Sequence, residues 1–256
     1  MSEPSADVLE ELARRSELLR ALRAGPQPKR DLVESLSLSR STVDRAVRDL
    51  ESRGFVERDD GVTLTLHGRL VLDAYDEFTD TLSAVDDAQV VLDPLPADAT
   101  IDPVLLRGAS VVGPDPVSPQ RPFVAYQEHL RDAVGVRGFA PAVLEDNVPL
   151  FRERIVADGL DVDLTVSPDA LDELLSAYAD SIDEALASGH LTLRRATETL
   201  EYALMLVDQP EHTVVCALFY DERGLVGSLH NDAPDAVRWA EQVYERVRNA
   251  AEPLQD

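Results

Sequence analysis

The chain has 256 residues, 24 of them basic and 49 acidic, so its formal net charge is −25. Hydrophobic residues make up 44%, which is enough for one large or two small packed domains and argues against global disorder. Cys216 is the single cysteine, which excludes an internal disulfide and a multi-cysteine zinc site. The apolar stretches are too short to span a bilayer and the first residues lack a signal-peptide pattern, so we expect a cytoplasmic protein without membrane contact.

The kinds of charged residue in the chain indicate the salt concentration of its surroundings. Lys29 is the only lysine among the 24 basic residues. Many carboxylates with almost no lysine are typical of salt-loving archaea, because molar salt shortens the Debye length to roughly 3 Å and screens the repulsion. We interpret the acidity as adaptation to a halophilic archaeal cytoplasm; binding of a basic partner is the alternative.

The charge is unevenly distributed along the chain. Residues 1–70 carry 12 basic and 13 acidic side chains, a net of −1, whereas residues 71–256 carry 12 and 36, a net of −24. A surface that approaches phosphates cannot be strongly negative. The first quarter of the chain is therefore the expected nucleic-acid-binding region.

The elements expected in this first quarter follow a recognisable order. Apolar spacing predicts helices over 8–23 and 29–36, and a third helix from the N-cap residue Ser39 to the stop signal Gly54. Strand-like runs at 55–58 and 62–66 flank an Asp-Gly pair, which is a strong hairpin signal. Two helices, a short turn, a third helix and a hairpin predict a winged helix-turn-helix.

The third helix carries most of the candidate DNA contacts. Its predicted inward stripe is Val43, Ala46, Val47 and Leu50, and its opposite face holds arginines for guanine edges and phosphates, with hydroxyls for phosphate oxygens. A basic residue beside the hairpin tip would contact a minor groove or flanking backbone. The candidate DNA-binding residues are Lys29, Arg30, Ser39, Arg40, Ser41, Thr42, Arg45, Arg48 and Arg58. The alternatives are a solvated helix face and a winged helix that binds proteins instead of DNA.

A helix over 69–87 is predicted to link two domains. Its apolar residues Leu70, Ala74, Phe78, Leu82 and Val85 recur at helical spacing, and a Pro-rich joint follows near residue 95. The expected domains are 1–68 for the winged helix, 69–95 for the linker helix and joint, and 96–256 for effector sensing or assembly. We expect a homodimer, with the first helix or the linker helix forming the two-fold contact; the alternative is that the apolar stripes of both helices pack on their own domain.

The rest of the chain alternates strands and helices, which predicts a mixed α/β or α+β sensor domain. The strands are expected at 110–112, 160–166, 191–196, 201–207, 212–220 and 224–229. The helices are expected at 122–133, 147–158, 169–188 and 234–251.

Three stretches of the sequence resemble a known family. Residues 36–56, from Leu36-Ser-Leu-Ser-Arg to Gly54-Phe-Val, resemble the recognition helix of archaeal winged-helix transcriptional regulators. Asp161-Val-Asp-Leu-Thr-Val-Ser-Pro, the acidic stretch 169–188 and residues 224–241, which begin Gly-Leu-Val-Gly-Ser-Leu-His-Asn-Asp, resemble the companion domain of the methanogenesis-regulator type found in haloarchaea. That domain is similar to the effector-binding half of TrmB-like regulators. The resemblance implies an α+β fold with a C-terminal phospholipase-D-like domain that is not catalytic.

Catalytic motifs are not found in the sequence. Phospholipase-D-like catalysis needs a histidine two residues before a lysine, and Gln27 holds that position before Lys29; P-loop, Gly-x-Ser-x-Gly and His-Glu-x-x-His patterns do not occur. The five histidines are scattered without metal-ligand spacing: His67, His129, His190, His212 and His230. We therefore expect no catalytic residue, no metal site and no cofactor, although a cryptic α/β enzyme is an open alternative. The expected partners are double-stranded DNA, a second copy of the chain, and an effector or protein partner whose binding residues the sequence does not identify.

Overall fold

The computed structural model describes residues 6–115 and 117–254. The chain divides into two compact units, Met1–Leu82 and Ser83–Asp256. In the described part of the chain, no helix is both long enough and apolar enough to cross a membrane.

The first unit is a winged helix-turn-helix, as predicted. Its elements are α1 (Ala6–Ala21), a short 3-10 turn (Leu22–Ala24), α2 (Lys29–Ser35), α3 (Arg40–Ser52), β1 (Val56–Asp59), β2 (Gly61–Leu64) and the first part of α4 (Leu66–Leu92). The predicted stripe of α3 is fully buried, together with Leu19 of α1, Leu32 of α2 and Leu72 of α4. Ser39 caps α3 by accepting a hydrogen bond from the Thr42 backbone amide at 3.1 Å.

The wing is a tight antiparallel hairpin. Asp59 pairs directly with Gly61, so Asp60 alone forms the tip. Gly61 has φ 128°, and a Cβ there would lie 3.2 Å from the Gln27 carbonyl oxygen, which explains the glycine at this turn. Backbone hydrogen bonds between Gln27 and Val62 fix the hairpin to the segment before α2.

The predicted linker helix is longer than expected at both ends. Thr65 caps its first turn, because its Oγ1 accepts a hydrogen bond from the Gly68 amide at 2.9 Å. At the other end, Ala88 and Val91 are fully buried in the core of the second unit. Residues 83–95 therefore pack within that unit instead of standing apart as a separate linker, and the two units divide inside α4.

The second unit contains an eight-stranded mixed sheet with helices on both faces. The strands occur in the order β10-β6-β5-β4-β7-β8-β9-β3; β4, β5 and β6 are parallel and the other neighbours antiparallel. The strand bounds are β3 Ser110–Val112, β4 Gly135–Ala140, β5 Asp161–Val166, β6 Leu191–Arg195, β7 Tyr202–Asp208, β8 Thr213–Asp221, β9 Gly224–Asn231 and β10 Glu252–Pro253. The helices are α5 Pro103–Leu106, α6 Arg121–Leu130, α7 Asn147–Asp158, α8 Pro168–Ala177, α9 Ala179–Ala187 and α10 Pro234–Ala250. The predicted α+β fold class is confirmed.

Two separate cores cover the faces of this sheet. One face packs against α6, α7, α8 and α9, with Val162, Met205 and Leu218 among its buried residues. The other packs against α5, α10 and the last turns of α4, with Leu204 and Phe219 at its centre. Because β7 and β8 lie between these cores, their residues are buried on both faces.

β4 was not predicted from the sequence, and the prediction of one helix was wrong. β4 contains two glycines and an arginine, which weaken its strand pattern, but a Cβ at Gly138 would overlap the Leu204 carbonyl oxygen, so the glycine permits close pairing with β7. The single helix expected at 169–188 is broken at Tyr178, whose φ of −126° and ψ of 24° are not helical. The apolar spacing continues through this break and therefore gave no sign of it. The short elements α5 and β10 were also not predicted.

Candidate functional site

The outward face of α3 presents cations and hydroxyls to solvent. Arg40, Ser41, Arg45 and Arg48 are exposed. Arg40 and Arg45 have no hydrogen bond or ion pair among the residues that the structure describes, and the Arg48 Nε donates to the Asp44 carbonyl oxygen of its own helix at 3.2 Å. These guanidinium groups can therefore contact phosphate oxygens or base edges without first breaking an ion pair.

Hydroxyl groups cluster at the N-terminal end of the same helix. Ser39 Oγ lies 2.9 Å from Ser41 Oγ and 2.8 Å from Thr42 Oγ1. Ser39 also caps the helix, so replacing it would disturb α3 as well as any DNA contact. Thr42 is only partly exposed.

Three of the candidate cations are held by acidic side chains. Lys29 Nζ lies 2.6 Å from Asp44 Oδ1, and this ammonium lowers the pKa of Asp44. Arg58 Nη2 lies 2.6 Å from Glu51 Oε2, and Arg30 Nε lies 3.1 Å from Asp31 Oδ1. Lys29 and Arg58 thus join α2 and the wing to α3.

The wing itself is acidic. Glu57, Asp59 and Asp60 are exposed around Arg58. A negative wing tip is repelled by phosphates. The structure therefore places the α3 residues on one cationic face, whereas Arg58 lies among carboxylates of the wing and is paired with Glu51. A DNA contact of Arg58 stays a prediction.

The second unit holds a cavity of about 110 Å³ that the sequence did not reveal. It lies within the core under α7 and α9, and its walls are almost entirely apolar side chains such as Phe151, Ile182 and Met205. Arg152 and Ser181 also line it, and Arg152 Nε donates to Glu184 Oε2 at 2.7 Å. Because the lining comes from five strands and four helices, no local motif encodes it.

Two residues that line the cavity each carry a buried polar atom without a hydrogen-bond partner in the described part of the chain. These atoms are the Tyr126 hydroxyl and the Asn147 Oδ1. Tyr126 is 1% exposed, and burial raises the pKa of its phenol well above the usual value. A buried polar group without a hydrogen bond costs about 1–3 kcal/mol, so this arrangement favours a ligand with a polar group.

The family of the second unit gives the class of the protein: a winged helix-turn-helix joined to a domain of a regulatory-protein family is a transcriptional regulator. Residues 119–250 match the family model of the methanogenesis regulatory protein FilR1, middle domain. This match covers just over half of the chain, which therefore belongs to that family. Residues 4–87 match the model of the HVO_A0261 N-terminal domain.

Several solved structures are similar to this chain. TrmBL2, described as an archaeal chromatin protein, has a TM-score of 0.43 and 16% identity, and the match covers 98% of this chain and 100% of that one. Nuc from Salmonella typhimurium, a phospholipase D family member, has a TM-score of 0.44 and 13% identity over 58% of this chain and 99% of that one. NucT from Helicobacter pylori has a TM-score of 0.44 and 9% identity over 57% and 98%. No curated protein matches the chain.

Proposed function

We propose that the chain is a promoter-binding regulator of a halophilic archaeon that binds double-stranded DNA through α3. One observation supports this most strongly. Seven described arginines of the first unit are paired with a carboxylate: Arg14, Arg15, Arg20, Arg23, Arg30, Arg58 and Arg69. The described arginines of that unit without an ion pair all lie on α3 or at its end: Arg40, Arg45, Arg48 and Arg53. In a chain with two acidic residues for each basic one, such a face favours a phosphate-bearing partner.

Equilibrium binding of the full chain to promoter fragments in potassium chloride tests this proposal. We expect specific binding with a dissociation constant in the nanomolar range. The logarithm of the association constant should fall linearly with the logarithm of the salt concentration, because phosphate contacts release counterions. A folded chain that binds no promoter fragment at any salt concentration would instead support the protein-binding adaptor.

A homodimer formed through α4 fits this function. The apolar residues of α1 are mostly buried in their own unit, as Leu12, Leu18 and Leu19 show. In contrast, α4 exposes large apolar side chains at every fourth position except Ala74: Leu66 at 66%, Leu70 at 53%, Phe78 at 50% and Leu82 at 49%. Ridges of residues four apart pack well against the same ridges of a second helix. Of the two helices expected to form the two-fold contact, α4 is therefore the better candidate.

We expect Leu70→Gln with Phe78→Gln to convert a dimer into a monomer, because polar side chains remove the apolar contact on which the helix pair depends. Light scattering in molar potassium chloride measures this directly. Val156→Gln with Leu175→Gln is the matched control, since these exposed apolar residues lie on α7 and α8. A wild-type chain that is monomeric both free and on DNA contradicts the dimer.

The cavity in the second unit is the proposed effector site. Its volume and apolar walls suit a neutral molecule no larger than about a benzene ring. A hydroxyl group on that molecule could donate to Asn147 Oδ1 and accept from the Tyr126 hydroxyl. Because α4 runs without interruption from Leu66 to Leu92, it offers a continuous element between the units, and any coupling of effector and DNA affinities must be reciprocal.

Tyr126→Phe tests the polar end of this cavity. We expect the variant to be more stable than the wild type by about 1 kcal/mol, because it removes a buried hydroxyl without a partner. Phenol should raise the melting temperature of the wild type more than benzene does, and the difference should become smaller in Tyr126→Phe, which retains only the Asn147 contact. A destabilised variant, or equal effects of phenol and benzene on the wild type, contradicts the proposed role of Tyr126.

A further inference from the structure

The fold of the second unit gathers three metal-ligating side chains that lie far apart in the sequence. His129 is on α6, Cys216 on β8 and His230 on β9. Among the described residues, one atom of each of these side chains lies within 4.8 Å of the others, a spacing suited to a metal ion. Cys216 and His230 are direct partners in the β8–β9 register, and the His129 and His230 ring centroids are 4.7 Å apart. The strand pairing and α6 therefore determine the position of this cluster.

Hydrogen bonds orient the His230 ring for coordination. The Ser228 hydroxyl donates to the Pro122 carbonyl oxygen at 3.0 Å, which uses its only hydrogen. The Ser228 oxygen, 3.0 Å from His230 Nε2, must then accept from that nitrogen. His230 Nδ1 consequently carries the lone pair and faces the Cys216 sulfur at 3.4 Å. A metal-binding histidine usually donates the hydrogen of its other ring nitrogen to such an oxygen, which fixes the orientation of the ring.

The separation of these atoms is that of ligands on one metal ion. Zinc–nitrogen and zinc–sulfur bonds of about 2.0 and 2.3 Å at a tetrahedral angle place the two ligand atoms roughly 3.5 Å apart. The 3.4 Å between His230 Nδ1 and Cys216 Sγ agrees with this value. His129 is only partly buried, so a small rotation of its ring can complete the set.

An open cleft gives an ion access to the cluster. The cleft has a volume of about 560 Å³ and is lined by His129 and His230, with Glu128, His212 and Asp232 also on its walls. A thiol becomes a metal ligand as the thiolate, so an ion that binds Cys216 displaces the thiol proton to solvent.

We propose that His129, Cys216 and His230 bind one Zn²⁺ ion, with a fourth position open toward the cleft and with Ser228 as a positioning residue. Imidazole and thiolate ligands favour zinc over the hard cations magnesium and calcium. The site does not depend on DNA binding by α3, so its test and the test of the proposed function fail or succeed separately.

The test is titration of the reduced full chain with Co²⁺ in molar potassium chloride and excess Mg²⁺. The excess magnesium occupies the many surface carboxylates, which have little preference for cobalt, whereas the thiolate site does prefer it. We expect one equivalent of Co²⁺ to produce a thiolate-to-cobalt charge-transfer absorption that one equivalent of Zn²⁺ removes. Cys216→Ser should lose the absorption, and Ser228→Ala should weaken Co²⁺ binding roughly 10- to 100-fold.

Histidine variants keep the test decisive if Cys216→Ser does not fold. His129→Gln and His230→Gln should each lose tight Co²⁺ binding while the circular dichroism spectrum is retained. His190→Gln is the matched control, because His190 is exposed and paired with Asp161 at 2.7 Å, and it should bind like the wild type. A folded wild-type chain without the charge-transfer absorption overturns the proposal, and so does an absorption that both His129→Gln and His230→Gln retain.

Discussion

Replacing Arg40, Arg45 and Arg48 together by alanine is expected to lower specific DNA affinity by about 3 kcal/mol or more, roughly 100-fold or more at constant salt. Each arginine that contacts a guanine contributes about 1–3 kcal/mol of discrimination, and the three lie on one exposed face of α3. None of them forms an ion pair in the described part of the chain, so the free energy of unfolding should change by less than about 0.5 kcal/mol. Fluorescence anisotropy with a labelled operator measures the affinity, and thermal unfolding measures the stability.

A matched variant separates the effect of α3 from the effect of net charge. Arg14, Arg69 and Arg223 are also exposed, and replacing all three by alanine removes the same charge from other surfaces. This control should retain most of the specific affinity. Equal losses of specific DNA affinity in the two triple variants would show that only long-range electrostatic attraction contributes. An α3 variant with wild-type affinity would exclude α3 as the DNA-binding surface.

Removal of salt is expected to unfold the second unit. Residues 71–256 carry a net charge of −24, and at 0.01 M salt the Debye length reaches about 30 Å, so repulsion among carboxylates acts across the whole second unit. We expect the second unit to lose structure at millimolar potassium chloride and to regain it at molar concentration. Circular dichroism during a salt titration follows this transition.

The repulsion should be strongest along α8 and α9. Neither helix contains a basic residue, whereas Asp172, Asp180 and Asp183 are all exposed on them. Changing these three residues to asparagine should lower the salt concentration needed for folding, whereas the Arg14, Arg69 and Arg223 variant should not lower it. Sucrose at equal osmolality is the control for solute exclusion, because it does not screen charge. A melting temperature that is the same at 0.01 M and 1 M potassium chloride would refute this prediction.

Local interactions in the sequence determined several elements to within a few residues. Ser39 caps α3 by a contact three residues away, and the Asp-Gly pair after β1 forms the expected tight hairpin. The helix expected at 147–158 agrees at both ends with α7, which stops at Gly159 in the left-handed conformation. Caps, turns and amphipathic spacing act between residues that are close in the chain, so the sequence alone was sufficient for them.

The tertiary structure alone decided where side chains distant in sequence meet. Two of the predicted DNA-binding cations form ion pairs, Lys29 with Asp44 and Arg58 with Glu51, and no periodicity in the sequence indicates such pairs. β4 was missed because Gly138 weakens the strand pattern, although close pairing with β7 is the reason for that glycine.

In the second unit too, the side chains that form each site are far apart in the sequence. The cavity beside Tyr126 is lined by residues from nine elements, and His129, Cys216 and His230 are adjacent only because α6 packs on two paired strands. Histidines that look scattered in the sequence are brought together by strand register and helix packing, which are long-range interactions. The sequence therefore determined the helices and the hairpin of the first unit, whereas only the packing of the sheet determined which side chains share a site.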